Sequence, residues 1–407
     1  MMPVACSFEH FAMIIASAPF NTALSEYIDI LFIGKPMKND VYNVKYRRRV
    51  LIRKSMTTLG KVLLALLANV TVNGREKLPN KGPVILAGNH VAVLEAVMMA
   101  VYCPGVVEFI GTGDIPFDPN YAFIANSYGL IPVNRGNLDR KGLQMGLEVL
   151  KQDSILGIFP EGGTWSPAQM QAQTGVAWLS YRSKAPIIPI GFGGIKGSLE
   201  KAFKFQRPKL LMNVGESIQP VTLTDRDLSM KANLEKAANQ IMGEINVLIP
   251  EEDLHRLRKR INETYQLETK IFTNNTQLAL PEEMQVENGS AYARFLFNPT
   301  IMDVLVRNLH LPIQPIRSIN RQNDLVPLIN AWNAVLDYLK VNPGYFTYRF
   351  GIIEGVKVKE ALKELCRLGV WAQQSGFALT INPIRRFQNA NTGAQVIEHG
   401  GCFPDSM

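Results

Sequence analysis

The sequence predicts an α/β fold, with a mostly parallel central sheet flanked by helices. N-terminal helices precede it and a separate C-terminal α+β region follows. Two observations in residues 76–225 carry the prediction. Six short runs, PVILAG, VVEFI, LIPVN, ILGIFP, IIPIGF and KLLMNVG, are apolar at successive positions, as strands buried on both faces are. Helical stretches such as 139–152 and 174–184 lie between them, and strands that alternate with helices pair in parallel. The length, 407 residues, provides for one such domain and a smaller unit beside it.

Taken in chain order, residues 1–75 hold apolar helical stretches around a basic run and are expected to associate with a membrane. Within KYRRRVLIRKSMTTLGKVLLALLANV (45–70), the first ten residues carry six basic side chains and no acid. A basic start and an apolar continuation suit a helix lying on an anionic membrane surface. Residues 76–265 form the α/β domain, closed from 226 onward by charged amphipathic helices. Residues 266–290 are polar and turn-rich and read as a linker. Residues 291–407 form a C-terminal domain with no assigned role. Its stretch 357–387 reads as a helix running into a strand, similar to a small winged-helix unit. The basic residues there, Lys357 to Arg386, read as solvated helix faces, and no nucleic-acid contact is expected.

Composition narrows the chemistry. Hydrophobic residues make up 47% and charged residues 19%, which fits a globular chain. The net charge of +8 favours anionic partners. Cys6, Cys103, Cys366 and Cys402 have no two-residue spacing, which argues against zinc-ribbon and CxxC redox sites and suits a reducing compartment. No apolar run reaches the roughly 20 residues of a spanning helix, and no basic segment precedes the apolar stretch 11–19. The expected location is therefore peripheral, on the cytoplasmic side of a membrane, with no secretion signal. No P-loop and no HExxH occur, so neither an NTPase nor a zinc hydrolase is supported, and no metal site or cofactor is expected.

LAGNHVAVLEAVMMA (86–100) places His90 and Glu95 five positions apart between apolar stretches. On one continuous helix they would point about 140° apart and could not meet. With PVILA as a strand, GNH as its exit turn and a helix starting at Val91, Glu95 falls in the second turn and His90 folds back towards it. A carboxylate on one ring nitrogen fixes the tautomer and leaves the other as a base. This pair contains no enzyme nucleophile, so it suits activation of a hydroxyl that a substrate supplies.

Three further stretches follow in order: GLIPVNRGN (129–137), GIFPEGGTWSP (157–167) and APIIPIGF (185–192). With NHVAVLE they resemble the four blocks of the glycerolipid acyltransferase family, typified by 1-acylglycerol-3-phosphate acyltransferases, over about residues 60–250. The resemblance implies transfer of a fatty acyl group from acyl-CoA or acyl carrier protein to a lysophospholipid hydroxyl, in phospholipid biosynthesis. It implies His90 as general base, Glu95 as its orienter and direct transfer without an acyl-enzyme. It also implies that Arg135 clamps an acceptor phosphate, that Glu161, Gly162, Gly163 and Thr164 form a substrate-binding turn, and that Pro189 packs. The sequence departs from the family at Glu95, where an Asp is usual, and in PEGGTWS, where Trp165 stands for an arginine. The lysine usual between the first two blocks is not evident either. A non-phosphate lipid alcohol as acceptor, and a non-catalytic lipid-binding relative, stay open as alternatives. ANSYG (125–129) lacks the strand-to-helix turn of a serine-hydrolase elbow.

Overall fold

A computed structural model describes residues 48–112, 117, 119–133, 139–161, 172–223, 225, 227–257, 260–297, 299–311, 321–346, 352–390 and 392–400. The first half runs α1 (Val50–Leu67), β1 (Asn69–Asn73), β2 (Val84–Gly88), α2 (Leu94–Tyr102), β3 (Val107–Thr112), α3 (Pro119–Tyr128) and β4 (Ile131–Val133). It continues with α4 (Arg140–Lys151), β5 (Ile155–Ile158), α5 (Gly175–Ser183), β6 (Ile187–Gly193), α6 (Ser198–Phe203), β7 (Lys209–Val214), α7 (Met230–Leu248) and α8 (Glu251–Leu257).

All six apolar runs are strands, and β1 joins them from within the stretch read as N-terminal helices. The seven-stranded sheet has the order β1-β7-β6-β2-β5-β3-β4. Its pairings are parallel except β6 with β7. The alternation on β2 divides the core. Val84 and Leu86 pack with Leu64, Met98 and Met99 of α1 and α2. Ile85 and Ala87 pack on the other face with Val149, Val176, Leu179, Ala238 and Ile241 of α4, α5 and α7. Both faces of the central strand are thereby sealed, which is why it reads as continuously apolar. Ser127 sits near the end of α3, before β4, so the chain at ANSYG turns from helix to strand.

α1 is fixed by charge as well as by packing. Glu108 on β3 is fully buried and receives Arg53 at 2.9 Å and Arg48 at 2.6 Å. Arg53, itself buried, also donates to the carbonyls of Tyr128 and Gly129 at 3.0 and 2.7 Å, and Arg49 donates to that of Asn126 at 2.9 Å. These carbonyls close the C-terminal end of α3, where cations are favoured. Three of the basic residues read as a membrane-facing run are therefore engaged inside the fold. On the outer side of α1, Leu51, Leu59, Val62, Leu63 and Leu66 are exposed. Among the described residues no helix is long and apolar enough to cross a membrane.

The second half is built on β8 (Arg260–Thr273), β9 (Thr276–Leu278), α9 (Gly289–Leu296), α10 (Pro299–Asn308), α11 (Val326–Val341), α12 (Ile352–Gln374), β10 (Ala378–Asn389) and β11 (Gln395–His399). Its antiparallel sheet has the order β11-β10-β8-β9. Residues 266–290, expected as a linker, instead carry most of β8 and all of β9. The turn residues Asn274 and Asn275, both at positive φ, close a hairpin rather than mark a boundary. Likewise 260–265 is strand, not amphipathic helix. A helix does run into a strand at 352–389, but into a four-stranded sheet larger than a winged-helix wing. Trp332, Tyr292, Phe295 and Phe346 form its core, with the Trp332 indole donating to the Tyr292 hydroxyl at 2.9 Å. Arg385, nearly buried, pairs with Glu398 and Glu263 and lies over the Phe297 ring. Asn308, at the end of α10, donates to the Phe117 carbonyl at 3.0 Å and ties the two halves together.

Candidate active site

Parallel pairing of β5, β2 and β6 puts the C-terminal ends of three neighbouring strands at one edge, the usual ligand edge of such sheets. Gly88 ends β2. A Cβ there would lie 2.8 Å from the Phe192 ring, so only glycine lets the strand pass. Asn89 follows, fully buried. Its Oδ1 accepts the Phe192 N–H at 2.7 Å and its Nδ2 donates to the Phe192 carbonyl at 3.4 Å. The amide thus extends the β2–β6 ladder one residue beyond Gly88 and fixes where the chain turns. Asn89→Ala would strand both Phe192 groups in the interior and should cost about 1–3 kcal/mol in chemical denaturation. A loss under about 0.5 kcal/mol would contradict this role.

His90 is half-buried, with its Nδ1 shut off from solvent. Its imidazole stacks on Phe159, just beyond β5, at 4.3 Å between centroids and 16° between planes. Its backbone N–H donates to Glu161 Oε1 at 3.4 Å. The helix after it, α2, starts at Leu94 rather than at the expected Val91, so Glu95 lies in the first turn and not the second. The carboxylate of Glu95 accepts the backbone N–H groups of Val91 and Ala92, the latter at 2.8 Å. This is side-chain capping from inside the helix, and it occupies the residues that an earlier helix start would have used. The contacts of Glu95 and Glu161 hold the main chain on both sides of the imidazole.

Both carboxyls are buried. Burial pushes Glu95 up to about 7 against the backbone hydrogen bonds that lower it. Burial, and then the neighbouring Glu95 charge, push Glu161 up to about 8, opposed by its bond to His90. Below pH 4.5, the ordinary value, these groups are protonated folded and unfolded and cost nothing. As the pH rises from there to about 8, the unfolded chain releases protons that the folded one retains, so their contribution falls. Thermal midpoints measured from pH 5 to 8 should therefore decline more steeply for the wild type than for Glu161→Gln. Parallel curves would refute the burial argument.

His90, Glu95 and Glu161 are thus brought to one strand edge. Arg135, Gly162, Gly163 and Thr164, with Trp165, lie outside the described residues. Sequence alone marks Gly88 and Asn89 only as turn residues, and it gives no role to Phe159 or Phe192. A buried amide beside a strand end was the available signal for Asn89, because such a group needs partners.

A family model described as acyltransferase matches residues 69–193, from the first residue of β1 to the last of β6. The chain is 22% identical over 187 residues to the 1-acyl-sn-glycerol-3-phosphate acyltransferase of Bacillus subtilis (strain 168), a match covering 46% of this chain and 92% of that protein. The crystal structure of the 1-acyl-sn-glycerophosphate (LPA) acyltransferase PlsC from Thermotoga maritima aligns with 16% identity and a TM-score of 0.35, over 48% of this chain and 79% of that one. The α/β half thus carries an acyltransferase domain similar to that of the glycerolipid acyltransferases, and the chain is an O-acyltransferase.

Proposed function

We propose that the chain transfers a fatty acyl group from acyl-CoA or acyl carrier protein to the hydroxyl of a lysophospholipid such as 1-acylglycerol-3-phosphate, in phospholipid synthesis. The observation that carries this reading is the imidazole of His90 at the ligand edge of the sheet, stacked on Phe159, with its own N–H held by buried Glu161 and those of the next two residues by buried Glu95. A ring nitrogen of His90 takes the acceptor's hydroxyl proton as the oxygen bonds to the thioester carbonyl carbon. The tetrahedral intermediate collapses, the carbon–sulfur bond breaks, and the proton passes to the departing thiolate. Glu95 acts on the imidazole by fixing Val91 and Ala92. Arg135 and the turn at Glu161–Thr164 are assigned to the acceptor by family resemblance.

A membrane surface suits the reaction, since both substrates are amphiphiles and α1 leaves a row of leucines exposed. The test is a panel of lysolipids and lipid alcohols incubated with an acyl thioester and purified protein, with thiol release and acylated lipid both followed. Acylation of lysophosphatidate above the other acceptors supports the reading. Preference for an uncharged alcohol would overturn the phosphate acceptor, and thiol release without acylated lipid would overturn transfer itself.

A further inference from the structure

The segment SLEKAFKFQR (198–207) joins β6 to β7 and sets two phenylalanines in solvent, Phe203 62% and Phe205 72% exposed. They are not loosely held. The Phe205 N–H donates to the Ala202 carbonyl and the Gln206 N–H to that of Lys201, both at 2.9 Å. Phe205 and Arg207 have φ of 56° and 45°, a region that strains residues other than glycine. The Arg207 guanidinium donates to the Ala65 carbonyl at 3.1 Å and the Asn69 side chain to the Arg207 carbonyl at 3.4 Å, so the segment is bound to the end of α1. The fold therefore maintains a strained connection that keeps two aromatic rings out of the core.

The register fixes where the segment lies. β7 runs antiparallel to β6 and pairs Leu211 with Gly193, so β7 begins beyond the C-terminal end of β6. This is the edge that carries His90, two strands away, or about 10 Å across the sheet. β1 pairs Asn69 with Lys209, which brings the end of α1, with exposed Val62, Leu63 and Leu66, to the same edge. Lys201 and Lys204 stand beside the two rings, Lys204 paired with Glu200 while still mostly exposed. Aromatic rings interleaved with lysines match the interface of an anionic bilayer, where rings settle at headgroup depth and ammonium groups meet phosphate.

We infer that residues 199–207 form a second membrane contact, continuous with α1, that sets the His90 edge of the sheet against an anionic bilayer. This extends the membrane placement proposed above. Its test needs no turnover, so it stands or falls apart from the acyl-transfer reading.

The experiment is sedimentation of the full chain with phosphatidylglycerol–phosphatidylcholine vesicles. Phe203→Ser/Phe205→Ser should weaken binding by at least about tenfold. Lys201→Gln/Lys204→Gln should weaken it by about fivefold per lysine on anionic vesicles and little on neutral ones. Val341→Ser, at an exposed valine in the C-terminal half, should leave it unchanged. Unchanged binding by the phenylalanine pair, or an equal loss with Val341→Ser, would overturn the inference. So would a halved mass in solution on changing the phenylalanines, which would assign the patch to a second copy of the chain. Loss of vesicle binding in a protein that acylates no acceptor would uphold this contact and refute the proposed function.

Discussion

His90→Ala should lower acyl transfer by about 10²–10⁴-fold, the usual contribution of a positioned general base, while the thermal midpoint moves by only a few degrees. The separation of activity from stability follows from how the residue is held. Its backbone bond to Glu161, the Asn89 bridge to Phe192 and the Glu95 cap on Val91 and Ala92 all survive truncation of the ring. What disappears is the nitrogen base and the stack on Phe159. That stack involves one face of a half-exposed ring, and it is small beside the core packing of Leu86, Met98 and Met99 behind it. Added imidazole should restore part of the rate, because the space above Phe159 is left open. A variant that keeps its rate within tenfold of wild type, or that loses rate and fold together, would refute the assignment.

Arg53→Met should destabilise the α/β half by about 3–5 kcal/mol, the usual cost of stranding one member of a buried ion pair. Glu108 has no exposure and would keep only Arg48, whose side chain is partly in solvent. The carbonyls of Tyr128 and Gly129 would lose their donor as well. At about 2–4 °C per kcal/mol for a domain of this size, the midpoint should fall by about 10 °C. Arg53→Met/Glu108→Leu should recover much of that loss, since an apolar pair of similar volume can replace a buried ion pair with little cost. Denaturation of the two variants checks this. A single variant within about 1 kcal/mol of wild type would show that α1 is held by the packing of Leu64 and Met56 without the ion pair.

Much of the α/β half was legible because its inner strands, β2, β5 and β6, are sealed on both faces. Six apolar runs cannot be solvated, and each is a strand. β1 escaped notice because NVTVN alternates and lies at the sheet's edge, half in solvent. The basic run was harder for a related reason. Its partner Glu108 lies 55 to 60 positions away inside VVEFI, and only the topology shows them meeting. A lone carboxylate in a run read as buried on both faces was nevertheless a sign that a cation had to come to it. The stretch 266–290 misleads on a different point. Asn274 and Asn275 are turn residues in hairpins and in linkers alike, and the strands on either side alternate too weakly to decide between them.

At the site, the short spacing placed His90 and Glu95 together, but the helix start was set three residues early. The capping carboxylate that delays it is Glu95 itself, so the residue expected to orient the imidazole binds the main chain at Val91 and Ala92. Asn89, Phe159 and Phe192 take part through neighbouring strands, and no local pattern encodes which strands those are.

The most direct test of His90 as the base that deprotonates the acceptor is product analysis by mass spectrometry, with lysophosphatidate and an acyl thioester, for wild type and a folded His90→Gln variant. The wild type should form one diacylated lipid for each thiol released, and the variant should form neither above the uncatalysed background. Diacylated lipid accumulating at a comparable rate in the variant would show that the proton leaves the acceptor by another route.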